Sequence, residues 1–325
     1  MGGGMSFPVV RLPRERVVIV TGGNAGIGYE TSKWIAMMGA KVIIACRSEE
    51  RATEAIERMN TEFQEEKSKG RTDIVDYDQL CVEYMHVDLA SLKSTKQFID
   101  AFIATGQPLH VLICNAGIAF VPKTYTEDGY ELMFQVNYLS HFLMAAHFLP
   151  LMKSSCDDCR IVSVSSVGEK MATFDMETIQ AKSTVKFGRI NYYGRSKLYQ
   201  IMQMYSMARR LEGSNVTIAS LHPGAVDTEI VHNFDDWRFL QTLTSCVRST
   251  GALRSPFEGA KTSINAAVNP VLRGVSGVYY MDTKPATPSG TARNKNNQEK
   301  LWQYTLECLK DWLEADIVSC LEGES

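Results

Sequence analysis

The chain has no long apolar run, no basic arm and no cluster of metal-ligating residues, and each absence argues against a class of protein. None of its apolar stretches reaches the ~18 residues that a membrane-crossing helix needs. The longest, "YLSHFLMAAHFLPLM", carries two histidines and reads as a buried helix. Lys and Arg number 34 against 37 Asp and Glu, a formal net charge of −3 with no basic stripe, so nucleic acid is not expected as a partner. The 8 cysteines are scattered; several lie in apolar runs such as "VIIACRS" and "VLICNAG" and read as reduced core residues of an intracellular protein. The lone C-x-x-C, Cys156 to Cys159, lacks the second pair or spaced histidines that zinc requires, so it reads as a solvated loop and no metal is expected. The amino terminus does not have the basic-then-apolar order of a secretory signal. It does begin Met-Gly-Gly-Gly-Met-Ser, which fits a myristoylation pattern on Gly2 and equally a short flexible leader. Peripheral membrane attachment therefore stays open, although a single acyl chain holds a membrane only marginally.

No Pro/Gly-rich linker and no internal repeat divides the 325 residues, so one domain is expected: a flexible leader over 1–14, the domain over 15–315 and a polar tail over 316–325. What is present is alternation. "RVVIV", "KVIIAC", "CVEYMHV", "LHVLIC", "CRIVSVS", "SNVTIASL" and "SGVYYM" read as strands, separated by helical stretches such as "GIGYETSKWIAMMGA" and a charged helix from about Glu49 to Lys67. Short, continuously apolar strands are buried on both faces. The fold class is therefore α/β, a doubly wound parallel sheet of Rossmann type.

The first strand-helix junction, "VVIVTGGNAGIGYE", places Gly22, Gly23, Gly26 and Gly28 where a helix amino terminus can hold a pyrophosphate. The spacing T-G-x-x-x-G-x-G differs from the general G-x-G-x-x-G fingerprint. The second strand ends Ala45-Cys46-Arg47-Ser48, without the acid that usually takes the ribose hydroxyls of NAD. A guanidinium there suits an adenosine 2′-phosphate, which makes NADP(H) the expected cofactor; the bland alternative is a surface arginine at a strand end.

Tyrosine followed four residues later by lysine occurs three times, at Tyr29/Lys33, Tyr193/Lys197 and Tyr280/Lys284, so spacing alone selects none of them. The order of motifs does. T-G-G-N-A-G-I-G (21–28), Asp88 in "HVDLAS", "CNAG" (114–117), Asn137, "VSVSS" (162–166), Tyr193-x-x-Ser196-Lys197 and "HPGAVDT" (222–228) together resemble the short-chain dehydrogenases/reductases from about residue 15 to 315. The stretches "IACRSEERA" and "TEDGYELMFQVNYLSHFLM" look most like the retinol-dehydrogenase-like group within that family. The resemblance implies an oxidoreductase in which Asn137, Ser166, Tyr193 and Lys197 are catalytic. It further implies that Gly22, Asn24, Gly26, Ile27, Gly28, Arg47, Asp88, Asn115, Ala116, Gly117, Tyr193, Lys197, Pro223 and Gly224 bind the cofactor. The chemistry fits the groups. A phenol near pKa ~10 works at neutral pH only if its anion is stabilised, and an ammonium one helical turn away can supply that. Ser166 would hold the substrate oxygen, and by resemblance Asn137 carries a water that links Lys197 to solvent. Ser165 and Ser166 point to opposite faces of a strand, so only one faces the site.

Two departures from the family pattern stand out. Cys114 occupies the place of the usual first Asn of Asn-Asn-Ala-Gly, at some expected cost in rigidity. Ser166 and Tyr193 lie 27 positions apart, because "EKMATFDMETIQAKSTVKFGRI" is inserted between them, as in the retinol-dehydrogenase-like group. After Pro223-Gly224, a segment holding Phe234, Trp237, Phe239, Leu240 and Leu243 corresponds to the family's substrate lid and suggests a lipophilic alcohol or carbonyl of retinoid, steroid or prenol class; closing the core is the alternative use of those residues. The Met-rich helix after Lys197 reads as core or as the face of a homodimer. Asn215-Val-Thr217 fits a glycosylation acceptor but begins a buried strand. Against the oxidoreductase stand a catalytically silent dinucleotide-binding sensor or scaffold and, more remotely, a lyase or epimerase on the same scaffold.

Overall fold

The computed structural model describes residues 7–182, 187–226 and 254–323. Strands β1 (Val17–Thr21), β2 (Lys41–Cys46), β3 (Val82–His86), β4 (Val111–Cys114), β5 (Cys159–Val164), β6 (Val216–His222) and β7 (Val278–Met281) pair in parallel, and a short β8 (Lys284–Pro285) closes the edge antiparallel to β7. Their order, β3-β2-β1-β4-β5-β6-β7-β8, reverses direction between β1 and β4, and such a switch point opens a crevice at the strands' carboxyl ends. Strands β1, β4, β5 and β6 are buried along their whole length, as both-sided burial demands; the edge strands β3 and β8 are open to solvent.

Alternate side chains of one strand enter two different cores. Val17 and Ile19 face the layer holding Phe98, Phe142 and Trp302, while Val18 and Val20 face the layer holding Trp34, Met59 and Phe63. The first layer contains α3 (Leu92–Ala104), the short α4 (Leu132–Phe134) running through a wide turn at Gln135–Leu139 into α5 (Ser140–Ser155), and α6 (Arg189–Arg210). The second contains α1 (Gly26–Met37), α2 (Glu49–Ser68) and α7 (Pro256–Val268). Two small helices, α8 (Gly290–Arg293) and α9 (Lys295–Cys308), and a terminal α10 (Ala315–Glu322) complete the first layer. Met202, Met204 and Met207 of α6 are fully buried within this single chain, so its Met-rich face is core.

Three expectations need correction. The leader is not free over its whole length: Phe7 is buried edge-on against Trp34 and Phe257, and the Leu12 amide bonds to the Met38 carbonyl at 2.8 Å. Aromatic burial of this size holds the segment from residue 7 onward. The polar tail is largely helix, with Ile317 and Leu321 buried in the first layer and Glu322 bonded to the Trp302 indole and Arg210. The C-x-x-C is not a solvated loop: Cys159 opens the buried strand β5, and its sulfur lies 3.0 Å from that of Cys156. Gly2 and the lid residues Phe234, Trp237, Phe239, Leu240 and Leu243 lie outside the described residues. Among the described residues no helix is long and apolar enough to cross a membrane. Nor do they hold any group of three or more His, Cys, Asp or Glu that could bind a metal. Asn215, the glycosylation candidate, is half-buried and donates its amide to the carbonyls of Lys153 and Cys156.

Candidate active site

The segments following β1, β4, β5 and β6 converge at the carboxyl edge of the sheet. After β1 the chain turns through Gly22, at φ +65°, and Gly26, at φ +53°, both in the left-handed region that favours glycine. Gly28 leaves no room for a side chain: a Cβ there would stand 2.2 Å from the Gly22 carbonyl oxygen and 2.5 Å from Asn115 Nδ2. Ala25, the residue before α1, caps nothing with its side chain, so the first amides of the helix remain available to an anion. Asn24 and Ile27 sit half-buried in this turn.

One hydroxyl ties that loop to the next. Thr21 Oγ1 accepts the amides of Asn115 and Ala116, each at 2.9 Å, and lies 2.9 Å from His141 Nε2. Asn115 returns a bond from its side chain to the Thr21 carbonyl at 2.9 Å. The other His141 nitrogen, Nδ1, is 3.1 Å from the Asn137 carbonyl. One placement of protons satisfies all of these: Nδ1–H donates to Asn137, and the threonine hydroxyl donates to Nε2. The imidazole is then neutral, and burial indeed lowers its pKa to about 4. This Thr21–His141–Asn137 bridge was missed from sequence. Its signal was the spacing, since His141 stands one helical turn beyond Asn137.

Asn137 lies in the wide turn Gln135–Leu139, a π-type irregularity of the kind that recurs at functional sites. Its side chain accepts the Ile118 amide at 2.8 Å and donates to the Ile118 carbonyl and to Ser196 Oγ, both at 2.9 Å. It thereby fixes the segment after Gly117 against α6. Gly117 is a close-approach glycine, because a Cβ there would come within 3.2 Å of Asn137 Oδ1 and 3.3 Å of Lys197 Nζ.

Helix α6 brings Tyr193 and Lys197 to the same face. The Lys197 ammonium donates to the Val164 carbonyl at 2.9 Å and stands 5.9 Å from the Tyr193 ring centroid. Burial away from water lowers its pKa to about 8, an effect the neighbouring Cys114 thiol slightly opposes. Burial pushes the Tyr193 phenol above its ordinary value, while a hydrogen bond with Ser166 pulls it down. The choice between the two serines is plain in the geometry. Ser165 is buried and donates to the Lys197 carbonyl at 2.7 Å, whereas Ser166 is the one beside the phenol. Ser166 Oγ also accepts the Gly168 amide at 3.1 Å, and His222 Nδ1 accepts the Val167 amide at 3.2 Å, so the serine's turn is held from both sides. His222 is a second residue that sequence reading passed over. The other two Tyr/Lys pairs are elsewhere: Tyr29 and Lys33 bond to Glu62, and Tyr280 is buried in β7 with Lys284 exposed on β8.

An apolar wall adjoins the phenol. Phe120 lies 4.9 Å from the Tyr193 ring, and Ile118, Val121, Met133, Ala181, Phe187 and Tyr192 form one cluster with it. The inserted segment supplies part of this wall and is fastened down, since Gln180 accepts the Glu131 amide at 2.8 Å and the Tyr192 hydroxyl bonds to the Thr178 carbonyl at 2.8 Å. On the opposite side Arg47 is exposed at the end of β2, Asp88 accepts the Ala90 amide at 3.0 Å, and Pro223 and Gly224 follow β6 with Gly224 at φ +92° against the Arg254 side chain.

A family model for short chain dehydrogenase matches residues 16–238. The chain belongs to the short-chain dehydrogenase/reductase family. It is 36% identical to human polyprenol dehydrogenase, with 94% of this chain and 88% of that protein covered. It is 38% identical to mouse retinol dehydrogenase 14, covering 90% of this chain and 86% of that one. Among solved structures, an uncharacterised protein of Mycobacterium paratuberculosis superposes with a TM-score of 0.70 at 23% identity, covering 94% and 97% of the two chains. The RhlG/NADP complex of Pseudomonas aeruginosa superposes at 0.59 with 22% identity, covering 82% of this chain and 96% of that one. Family membership makes the protein an oxidoreductase of alcohol and carbonyl groups that uses a nicotinamide dinucleotide.

The two buried histidines predict an acid-sensitive fold. An unfolded histidine takes up its proton near pH ~6.5, whereas His141 and His222 in the folded chain do so only near 4. Their contribution is therefore present above pH 6.5 and is lost as pH falls from there through 4, by up to about 3 kcal/mol each. In urea unfolding, His141→Leu should lower stability at pH 7.5 by about 2 kcal/mol, through the unpaired Asn137 carbonyl, and should flatten the acid slope.

Proposed function

We propose that the protein is an NADP(H)-dependent oxidoreductase that interconverts a carbonyl and an alcohol on a lipophilic substrate, with Tyr193 as the acid/base. The observation that carries this reading is one phenol hydrogen-bonded to Ser166 with the Lys197 ammonium 5.9 Å from its ring centroid, on a helix that Asn137 braces through Ser196. The nicotinamide, when bound, supplies or accepts the hydride. Tyr193 passes the proton to or from the substrate oxygen. Ser166 bonds that oxygen and stabilises the charge developing on it.

Lys197 is a buried cation with one carbonyl partner, and an ammonium has three donors. The remaining donors suit the hydroxyls of the nicotinamide ribose, and the charge favours the phenolate. In the free protein burial outweighs the bond with Ser166, so the phenol is protonated. Its activation belongs to the complex, where the oxidised ring adds positive charge beside it. Asn137 supports this group through Ile118 and Ser196; a water relay to solvent remains its second proposed role.

Several features support the cofactor assignment. The glycine turn, with Gly22 and Gly26 at positive φ and Gly28 packed on the Gly22 carbonyl and Asn115, leads into the side-chain-uncapped amino terminus of α1, which suits a pyrophosphate. Asp88, Asn115, Ala116, Gly117, Pro223 and Gly224 border the same edge of the sheet. Arg47 stands where an acid would repel a 2′-phosphate, and its exposure fits contact with a charged group. The half-buried apolar side chains Phe120, Val121 and Phe187 near the phenol, together with relatives named for polyprenol and retinol, support a lipophilic substrate.

With NADPH and a panel of long-chain aldehydes and ketones, Tyr193→Phe should lower kcat at least ~100-fold while nucleotide binding, followed by fluorescence, is retained. Unchanged turnover would remove the phenol from the mechanism. Arg47→Ala should weaken the preference for NADPH over NADH by about tenfold or more in kcat/KM, the worth of one charge-assisted contact; an unaltered ratio would mean that Arg47 does not read the phosphate.

A further inference from the structure

The pair Cys156 and Cys159 lies at the amino-terminal end of β5, the edge of the sheet opposite the active site. Their sulfurs are 3.0 Å apart, and the surroundings treat them differently. Cys156 is half-buried and its sulfur accepts the Asp158 amide at 3.4 Å; Cys159 is buried, and its thiol reaches the Leu109 carbonyl at 3.4 Å. The Arg16 guanidinium is close enough for its charge to couple to both sulfurs, and its buried Nε finds no acceptor among the described residues. The neighbouring acids are paired with arginines, Asp158 with Arg16 itself among them. Asp158 is held by Arg160 at 2.7 Å and lies near Arg16 at 3.9 Å, and Asp157 is exposed near Arg273. A backbone amide and a guanidinium lie beside a half-buried sulfur that has a second sulfur 3.0 Å away, so the two cysteines are placed to exchange with a disulfide and with each other.

We propose that Cys156 and Cys159 are a reversible dithiol/disulfide pair that exchanges with low-molecular-weight disulfides of the glutathione class. The Cys156 thiolate attacks one sulfur of oxidised glutathione; that S–S bond breaks, and one glutathione leaves as its thiolate. The Cys159 sulfur, losing its proton, then attacks Cys156, forms the internal disulfide and releases the second glutathione. Two electrons pass from the protein to glutathione, and the two protons end on the two glutathione thiols. The order of attack follows from burial, which together with the bond to Cys156 raises the pKa of Cys159 and keeps its proton in place. Ser166 lies seven residues farther along the extended chain, roughly 20 Å away, so turnover should continue in either state.

The full chain, equilibrated with reduced and oxidised glutathione at stepped ratios, acid-quenched and alkylated, is mapped by peptide mass. The peptide holding both cysteines should change from doubly alkylated to a form lighter by two hydrogens than the free dithiol. Dithiothreitol should reverse this, at ratios that leave Cys46 and Cys114 alkylatable after unfolding. Cys159→Ala should stop at a glutathione adduct on Cys156, and in the native wild-type protein Cys156 should alkylate faster than Cys159. Two thiols persisting to the most oxidising ratio, or a wild-type adduct on Cys156 that never resolves, would overturn the proposal.

Discussion

The site depends on a lysine ammonium held out of water at the carboxyl end of a parallel sheet. Among the described residues no carboxylate pairs with Lys197; its partner is the Val164 carbonyl, and the dry surroundings bring its pKa down to about 8. An unpaired buried cation costs folding free energy that a hydrophobic residue would not. Such a group persists where a ligand completes it, and a dinucleotide bearing hydroxyls would do so. The neighbouring phenol belongs to the same logic. Tyr193 sits between Ser166, the apolar wall and this cation, and the free protein leaves it a weak acid. On the proposed mechanism, binding of the dinucleotide would complete the phenol's activation.

Rigid elements fix this arrangement from several directions. Helix α6 supplies the phenol and the amine on one face, and Ser165 clamps the lysine's backbone to the end of β5. The wide turn before α5 carries Asn137 inward, and His141, one turn on, returns a bond to its carbonyl while meeting Thr21 at the end of β1. The side chains of Thr21, His141 and Asn137 each find partners, as a buried network must if it is to specify one geometry. The glycine turn after β1 and the segment holding Asn137 thus share Thr21 and His141, so a nucleotide bound as proposed would bear on the position of Asn137.

Much of this was legible in the sequence, for identifiable reasons. Parallel strands buried on both faces write themselves as unbroken apolar runs, so the sheet was read correctly; motif order, rather than the bare four-residue spacing, singled out Tyr193, which lies beside Ser166 in the structure. The errors share another cause. The segment "ADIVSCLE" buries two apolar residues and the stretch around Phe7 one, too few to stand out from a polar terminus. The Cys156–Cys159 turn looked solvated because acidic residues fill its middle, while the cysteines at its ends join a helix to a buried strand. His141 and His222 were overlooked because a histidine in an apolar run gives no sign of which carbonyl or amide it will meet.

The measurement closest to the central claim is an ultraviolet difference titration of the Tyr193 phenol, obtained by subtracting the Tyr193→Phe variant, with and without saturating NADP+. The account predicts that this tyrosine ionises above the ordinary ~10 in the free protein and at a clearly lower pH once the oxidised nucleotide is bound. The same apparent pKa in both states would contradict it, because the lysine and the nicotinamide would then not be what makes the phenol an acid/base.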